Sequence, residues 1–280
     1  MICSKTKKEA AQTVFEWKKN GFRIGLVPTM GSLHEGHLAL LRSSKAQGFK
    51  TVLTIFVNPT QFNDRADFNN YPRDVAADLA LVGDLADLVF VPADAEMYNS
   101  LPVLNVEFGE LETVMEGKFR PGHFNGVGIV VSKLFNIIQP DVAFFGQKDL
   151  QQCAVVEQLV EDLSFPIEIV KHPIVRESDG LAMSSRNRRL TTSQRSVAGK
   201  VFQAIDLVKA NLKSGASLSV SRAKGLALLQ AEPLFDLDYL EIVDSKTLSP
   251  LTEVSQQEIA IRKAVFLGDV RLIDNILFKI

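Results

Sequence analysis

The sequence predicts an α/β protein, a Rossmann-like doubly wound parallel sheet followed by a smaller α+β C-terminal domain. Three observations carry that expectation. Short apolar, β-branched runs alternate with longer periodic stretches over the first two thirds of the chain, the pattern of a parallel sheet covered by helices. Beyond Arg176 the order changes to helical stretches followed by three strand-like runs. The residues of chemical character stand directly after strands, where open α/β sheets bind ligands.

Taken in order, Ile24–Val27 reads as a buried strand, followed by a glycine-containing turn and a helix from His37 to Gln47. Thr51–Val57 is a second strand, rich in β-branched and aromatic residues. Pro72–Val82 reads as a helix with proline in its first turn. Leu88–Val91 is a short strand, and Gly126–Ile138 an apolar helix stopped before Pro140. Val142–Phe145 then reads as a strand, Leu150–Leu163 as a helix and Ile167–Val170 as a strand. Ser178–Arg189 is polar and irregular. Thr192–Lys213 and Ser219–Gln230 read as helices, and Asp236–Val243, Gln257–Val265 and Val270–Ile276 as strands. The change of pattern predicts a domain 1–175 and a domain 176–280.

Composition bounds the function. The chain has 280 residues, and its 31 Lys plus Arg nearly balance 33 Asp plus Glu. A nucleic-acid surface usually shows a basic excess, so that class is disfavoured. No apolar run reaches the roughly 18 residues of a membrane span, and the charged first residues predict no signal peptide. Two cysteines, Cys3 and Cys153, suit a reducing compartment, hence the cytoplasm, with Cys153 in the core.

Three loops follow strands: Pro28–His37, Asn58–Phe62 and Gly146–Asp149. In the first, Gly31 and Gly36 allow backbone to approach a phosphate, and the following helix start offers N–H groups and a positive dipole end. His34 and His37 can donate hydrogen bonds to phosphoryl oxygens. The spacing nearly fits a Walker A loop, but His37 and Leu38 occupy the lysine and hydroxyl positions, which excludes a kinase of that type. A zincin places its histidines four apart; here they are three apart, and with only His123 and His172 remaining no third ligand stands out.

His34-Glu35-Gly36-His37 is similar to the H-x-G-H signature of class I nucleotidyltransferases. The longer string Pro28–Leu38 resembles the pantothenate synthetase family. So do Phe56–Phe62, Tyr71–Asp74, Glu116–Asn125, Lys133–Asp141, Phe145–Gln152, Arg176–Asn187 and Arg271–Asn275, which span both expected domains. Two departures are Gln147, where many relatives carry glutamate, and Gly128-Ile129 in the helix after His123.

The resemblance implies an ATP-dependent ligase that joins pantoate to β-alanine through an adenylate, with Mg²⁺ accompanying ATP and a homodimer as the assembly. It marks His37 as the catalytic residue. It implies ATP contacts at Met30, Gly31, Ser32, Leu33, His34, Glu35, Gly36 and His37, at Gly146, Gln147, Lys148 and Asp149, at Val175, and at Met183, Ser184, Ser185 and Arg186. It places pantoate against Gln61 and Gln152, and β-alanine near Gln61. Asn58, Arg120 and His123 are further candidates beside that pocket, and Asp149 for organising Mg²⁺–ATP. The competing expectations are another H-x-G-H nucleotidyltransferase and a non-catalytic nucleotide-binding protein. Paired glutamines suit a small polyhydroxy acid better than a phosphorylated substrate, which would call for added arginine or lysine.

Overall fold

Residues 1–63, 65–253 and 258–280 are described by the computed structural model. Contacts divide the chain into two units, Met1–Gly146 with Gln151–His172, and Gln147–Leu150 with Pro173–Ile280. The first unit runs β1 (Ile2–Ser4), α1 (Lys7–Lys19), β2 (Ile24–Thr29), α2 (Glu35–Ala46), β3 (Lys50–Ile55), α3 (Arg65–Asn69), α4 (Val75–Val82), β4 (Leu88–Phe90), α5 (Asp94–Met97), α6 (Met115–Phe119), α7 (His123–Ile138), β5 (Val142–Gly146), α8 (Leu150–Asp162) and β6 (Glu168–His172). Leu150, the first residue of α8, belongs to the second unit.

Six parallel strands stand in the order β1-β4-β3-β2-β5-β6. Successive strand residues face opposite sides, and this builds two cores. Leu26, Val52, Phe90 and Ala143 pack with α1, α7 and α8; Val27, Leu53, Val89 and Phe144 pack with α2 and α4. From β2 the strands progress one way to β3 and β4 and the other way to β5 and β6. The sheet therefore reverses between β2 and β5, the switch point at which such sheets bind ligands.

Several boundaries differ from expectation for local reasons. β1 has three residues, too short for a pattern, yet pairs with Leu88–Phe90 at the sheet edge. Helix α1 starts from a capping box between Thr6 and Glu9. Helix α4 starts at Val75 rather than Pro72, because the Asp74 side chain caps Ala77 N–H. Helix α7 begins three residues earlier than expected, at His123.

In the second unit, one expected helix is two, α9 (Thr192–Val197) and α10 (Lys200–Lys213), followed by α11 (Leu218–Gln230). The break falls at Gly199, where an added Cβ would lie 3.0 Å from the Asp179 carbonyl oxygen. The strands β7 (Phe235–Asp244), β8 (Glu258–Leu267) and β9 (Val270–Lys279) form an antiparallel sheet in chain order. The expected start of β8 at Gln257 lies outside the described residues. Val201, Ile205, Val208 and Leu229 of the helices pack on Leu240, Ile261, Val265 and Ile276 of the sheet. Lys263 stands among these apolar residues, wholly buried and register partner of Asp274 on β9.

Candidate active site

The loop after β2 is held from behind by a carboxylate. Asp78, buried on α4, accepts Ser32 N–H at 2.9 Å and Leu33 N–H at 2.7 Å. Gly31 has φ +80, and a Cβ there would meet Asp78 Oδ2 at 2.8 Å and Ile55 at 3.0 Å, so the turn requires glycine. Nothing in the sequence pattern marks Asp78. It is a lone acid in an apolar helix, and it serves backbone N–H groups, which leave no trace in side-chain spacing.

Helix α2 begins inside the H-x-G-H string. His34 is the N-cap: its Nδ1 accepts Gly36 N–H at 3.1 Å, while His37 Nδ1 accepts His34 N–H at 3.2 Å. The two rings lie 4.1 Å apart between centroids. Gly36 makes room for this arrangement, since a Cβ there would lie 2.8 Å from His34 Cε1. A nitrogen that accepts an N–H carries no proton itself, so each neutral ring holds its hydrogen on Nε2. Both histidines thus carry their Nε2–H at a helix N-terminus, where the peptide dipole favours an anion. Glu35 is exposed and paired with Arg42, whose hydrogen bond lowers the Glu35 carboxyl below its ordinary value.

After β3, Pro59–Gln61 forms a single helical turn capped by Asn58. The Asn58 amide is 1% exposed and fully engaged. Its Oδ1 accepts Thr60 Oγ1 at 3.0 Å and Tyr98 OH at 2.8 Å, and its Nδ2 donates to Gln61 Oε1 and Gly126 O, both at 3.1 Å. Burial pushes the Tyr98 phenol up, which keeps it the donor this contact needs. Asn58 thereby positions Gln61. The Gln61 Nε2 donates to Met30 Sδ at 3.0 Å, a weak acceptor that a ligand oxygen would displace. His123 Nδ1 donates to the Gln61 carbonyl at 2.8 Å, and its Nε2 lies 3.3 Å from Arg120 Nη1. A carbonyl only accepts and a guanidinium only donates, so both contacts fit a neutral His123 protonated on Nδ1.

Gln152 lies in the first turn of α8, half-buried. Its neighbour Gln151 is 1% exposed and holds the 111–116 segment, donating to Leu111 O and Val114 O and accepting Glu116 N–H.

In the second unit, Gln147–Asp149 is a three-residue turn in which Lys148 Nζ lies 3.5 Å from Asp149. A tight hairpin at 175–183 carries Met183 N–H to Val175 O at 3.0 Å. It leads into the short helix Ser185–Arg189, whose N-cap Ser184 accepts Arg186 N–H. Arg186 is half-buried, whereas Arg188 and Arg189 are exposed.

A helix capped by its own histidines, directly after the strand at which a parallel sheet reverses, defines the class: a nucleotide-binding α/β protein of the H-x-G-H type. Residues 2–277 match the family model described as Pantoate-beta-alanine ligase, and the chain belongs to that family. The chain is 45% identical over 264 residues to the pantothenate synthetase of Cytophaga hutchinsonii, covering 93% of each. The crystal structure of pantothenate synthetase from Thermus thermophilus is similar with a TM-score of 0.90, at 39% identity and over 99% of each chain. The pantoate-beta-alanine ligase from Francisella tularensis, crystallised with Beta-gamma ATP and beta-alanine, is similar with a TM-score of 0.81 at 32% identity, over 99% of this chain and 97% of that one.

Proposed function

We propose that the chain condenses pantoate with β-alanine, using ATP and releasing AMP and pyrophosphate. In the first step a pantoate carboxylate oxygen attacks the α-phosphorus. The bond from that phosphorus to the bridging oxygen breaks, and pyrophosphate leaves with the electron pair. In the second step the β-alanine amine attacks the acyl carbon of the adenylate. The acyl–oxygen bond breaks, AMP leaves, and the amine gives up a proton.

The observation that carries this reading is the reciprocal histidine cap. It fixes both rings at the N-terminus of α2 through their Nδ1 atoms, which leaves the cap independent of the Nε2–H groups. Donors held in place before reaction stabilise the charge that grows on phosphoryl oxygens, and they need no reorganisation to do so. We assign His37 to that charge and His34 to ATP beside it. Met30–Gly36 lines the triphosphate, and Gly146–Asp149, Val175 and Met183–Arg186 contribute further ATP contacts, with Lys148 and Arg186 as fixed cations. Gln61 and Gln152 read pantoate, and Gln61 also reads β-alanine. The Gln61 amide is held by Asn58 on one side and by a weak sulfur acceptor on the other, which suits an exchange for substrate oxygen.

Mg²⁺ would arrive on the triphosphate. Such an ion is bound mainly by phosphates and water. Asp149, beside Lys148, is the carboxylate suited to its hydration shell. The ion would neutralise charge on the departing pyrophosphate. We further place the protein in the cytoplasm, as a homodimer, with small molecules rather than nucleic acid or membrane as its partners. Only two cysteines in 280 residues suit that compartment. The dimer rests on the family resemblance. Among the described residues no helix is long and apolar enough to cross a membrane.

The test is product analysis. AMP and pyrophosphate must form from ATP only with pantoate, and pantothenate must form only when β-alanine is added. ADP as the nucleotide product would overturn the proposal.

A further inference from the structure

Two consecutive residues of β9, Asp274 and Asn275, are 2% exposed each and point to opposite faces of an edge strand. Asn275 spends its whole side-chain amide on one turn. Its Nδ2 donates to Gln147 O at 2.9 Å and to Lys148 O at 3.0 Å, and its Oδ1 accepts Gln147 Nε2 at 3.0 Å. With two carbonyl acceptors on one side and an amide donor on the other, the orientation of this amide is determined. The turn it grips carries Lys148.

Asp274 grips the other segment. Its carboxylate takes the Arg176 guanidinium in a two-pronged pair, at 2.7 and 3.0 Å. Arg176 also donates to Gly180 O at 2.9 Å and stacks 4.0 Å over the Phe202 ring. The hairpin so tied closes through Met183 N–H to Val175 O and delivers Ser184, Ser185 and Arg186. A charge pair of this geometry is directional as well as strong. The two grips are themselves linked, because Asp274 Oδ1 accepts Asn275 N–H at 2.8 Å and Arg176 Nη2 reaches Asn275 O at 3.3 Å.

We infer that Asp274 and Asn275 are positioning residues that set the spacing between Lys148 and the Ser184–Arg186 loop by fixing both to one strand. Neither touches the reacting atoms; each acts through the cation it places. The inference rests on the ATP roles proposed above for Lys148 and Arg186. Two loops that each carry a cation for one triphosphate gain from a common rigid support, since a misplacement of about 1 Å can cost on the order of 100-fold in rate.

Double-mutant cycles distinguish this from a merely structural role. Asn275→Ala should slow single-turnover adenylate formation about 10- to 100-fold, and on a Lys148→Ala background it should add little. Asp274→Asn should couple in the same way to Arg186→Ala. The crossed pairs, Asn275 with Arg186 and Asp274 with Lys148, should be closer to additive. Asn275→Ser is the milder change at the same position and serves where Asn275→Ala folds poorly; it should also lose its effect on the Lys148→Ala background. The same cycles read on ATP binding alone report the coupling whichever acid is activated. A parent enzyme that makes no AMP from pantoate would sink the proposed function and leave the coupling measurable. Full additivity of both Asn275→Ala and Asn275→Ser with Lys148→Ala would overturn the inference.

Discussion

His37 performs two tasks with two different nitrogens, and they can be separated. Its Nδ1 accepts His34 N–H and completes the helix cap, while Nε2–H is the proposed phosphoryl donor. His37→Asn carries an oxygen near the place of Nδ1 and has nothing at Nε2. His37→Gln carries an N–H near Nε2 and lacks the cap acceptor. A lost cap costs about 1 kcal/mol of stability. A lost donor to a developing anion costs about 2.7–4 kcal/mol of barrier, or roughly 10²–10³ in rate. In rapid-quench single turnovers at saturating ATP and pantoate, His37→Asn should therefore be slow by that factor, with Tm and ATP affinity near those of the parent. His37→Gln should melt lower and keep more of its rate. From preformed pantoyl adenylate and β-alanine, His37→Asn should recover much of the parent's activity. Parent-rate adenylation by His37→Asn, or equal losses in both variants, would refute the division of tasks.

Other substitutions probe the support of the site. Asp78→Asn turns an amide NH₂ toward one of two loop N–H groups. Hydrogen bonds to charged groups are worth about 1.5–3 kcal/mol each, so ATP affinity and Tm should both fall in titrations and melts; a parent-like titration would contradict the role given to Asp78. Gln61→Ala and Gln152→Ala should each weaken pantoate binding by about 1–3 kcal/mol and ATP binding far less, and equal losses would mean these residues shape the fold instead. Burial pushes the Lys263 ammonium down to about 7, opposed by Asp274 and reinforced by Arg176, Arg271 and Lys148. The folded chain thus binds this proton only below about pH 7, and the unfolded chain up to about 10.5, so the penalty is complete at and below pH 7 and fades toward 10.5. Lys263→Met should raise Tm at pH 7, with the gain shrinking by pH 10; a gain independent of pH would contradict this.

The alternating pattern of buried runs made the parallel sheet legible, because strands buried on both faces are continuous and apolar. Strand β1 was not, since three residues carry no period. The break between α9 and α10 was hidden as well: it arises where Gly199 packs on the Asp179 backbone, a contact remote in sequence. At the candidate site the spacing of Gly31, His34, Gly36 and His37 is readable because loop geometry and residue type coincide there. The supports are less so. Asp78, Tyr98 and Gln151 act through backbone groups or through one other amide, 40 or so residues away. Asn275 stands in a string that resembles the family, yet only its contacts with Gln147 and Lys148 suggest what it does.

The proposed first step is attack by a pantoate carboxylate oxygen on the α-phosphorus of ATP. Pantoate labelled with ¹⁸O in its carboxylate, turned over with ATP and β-alanine, tests it by mass spectrometry of the nucleotide product. The mechanism predicts one labelled oxygen transferred to AMP and none to pyrophosphate. Unlabelled AMP, or label appearing in any phosphate other than that of AMP, would contradict it.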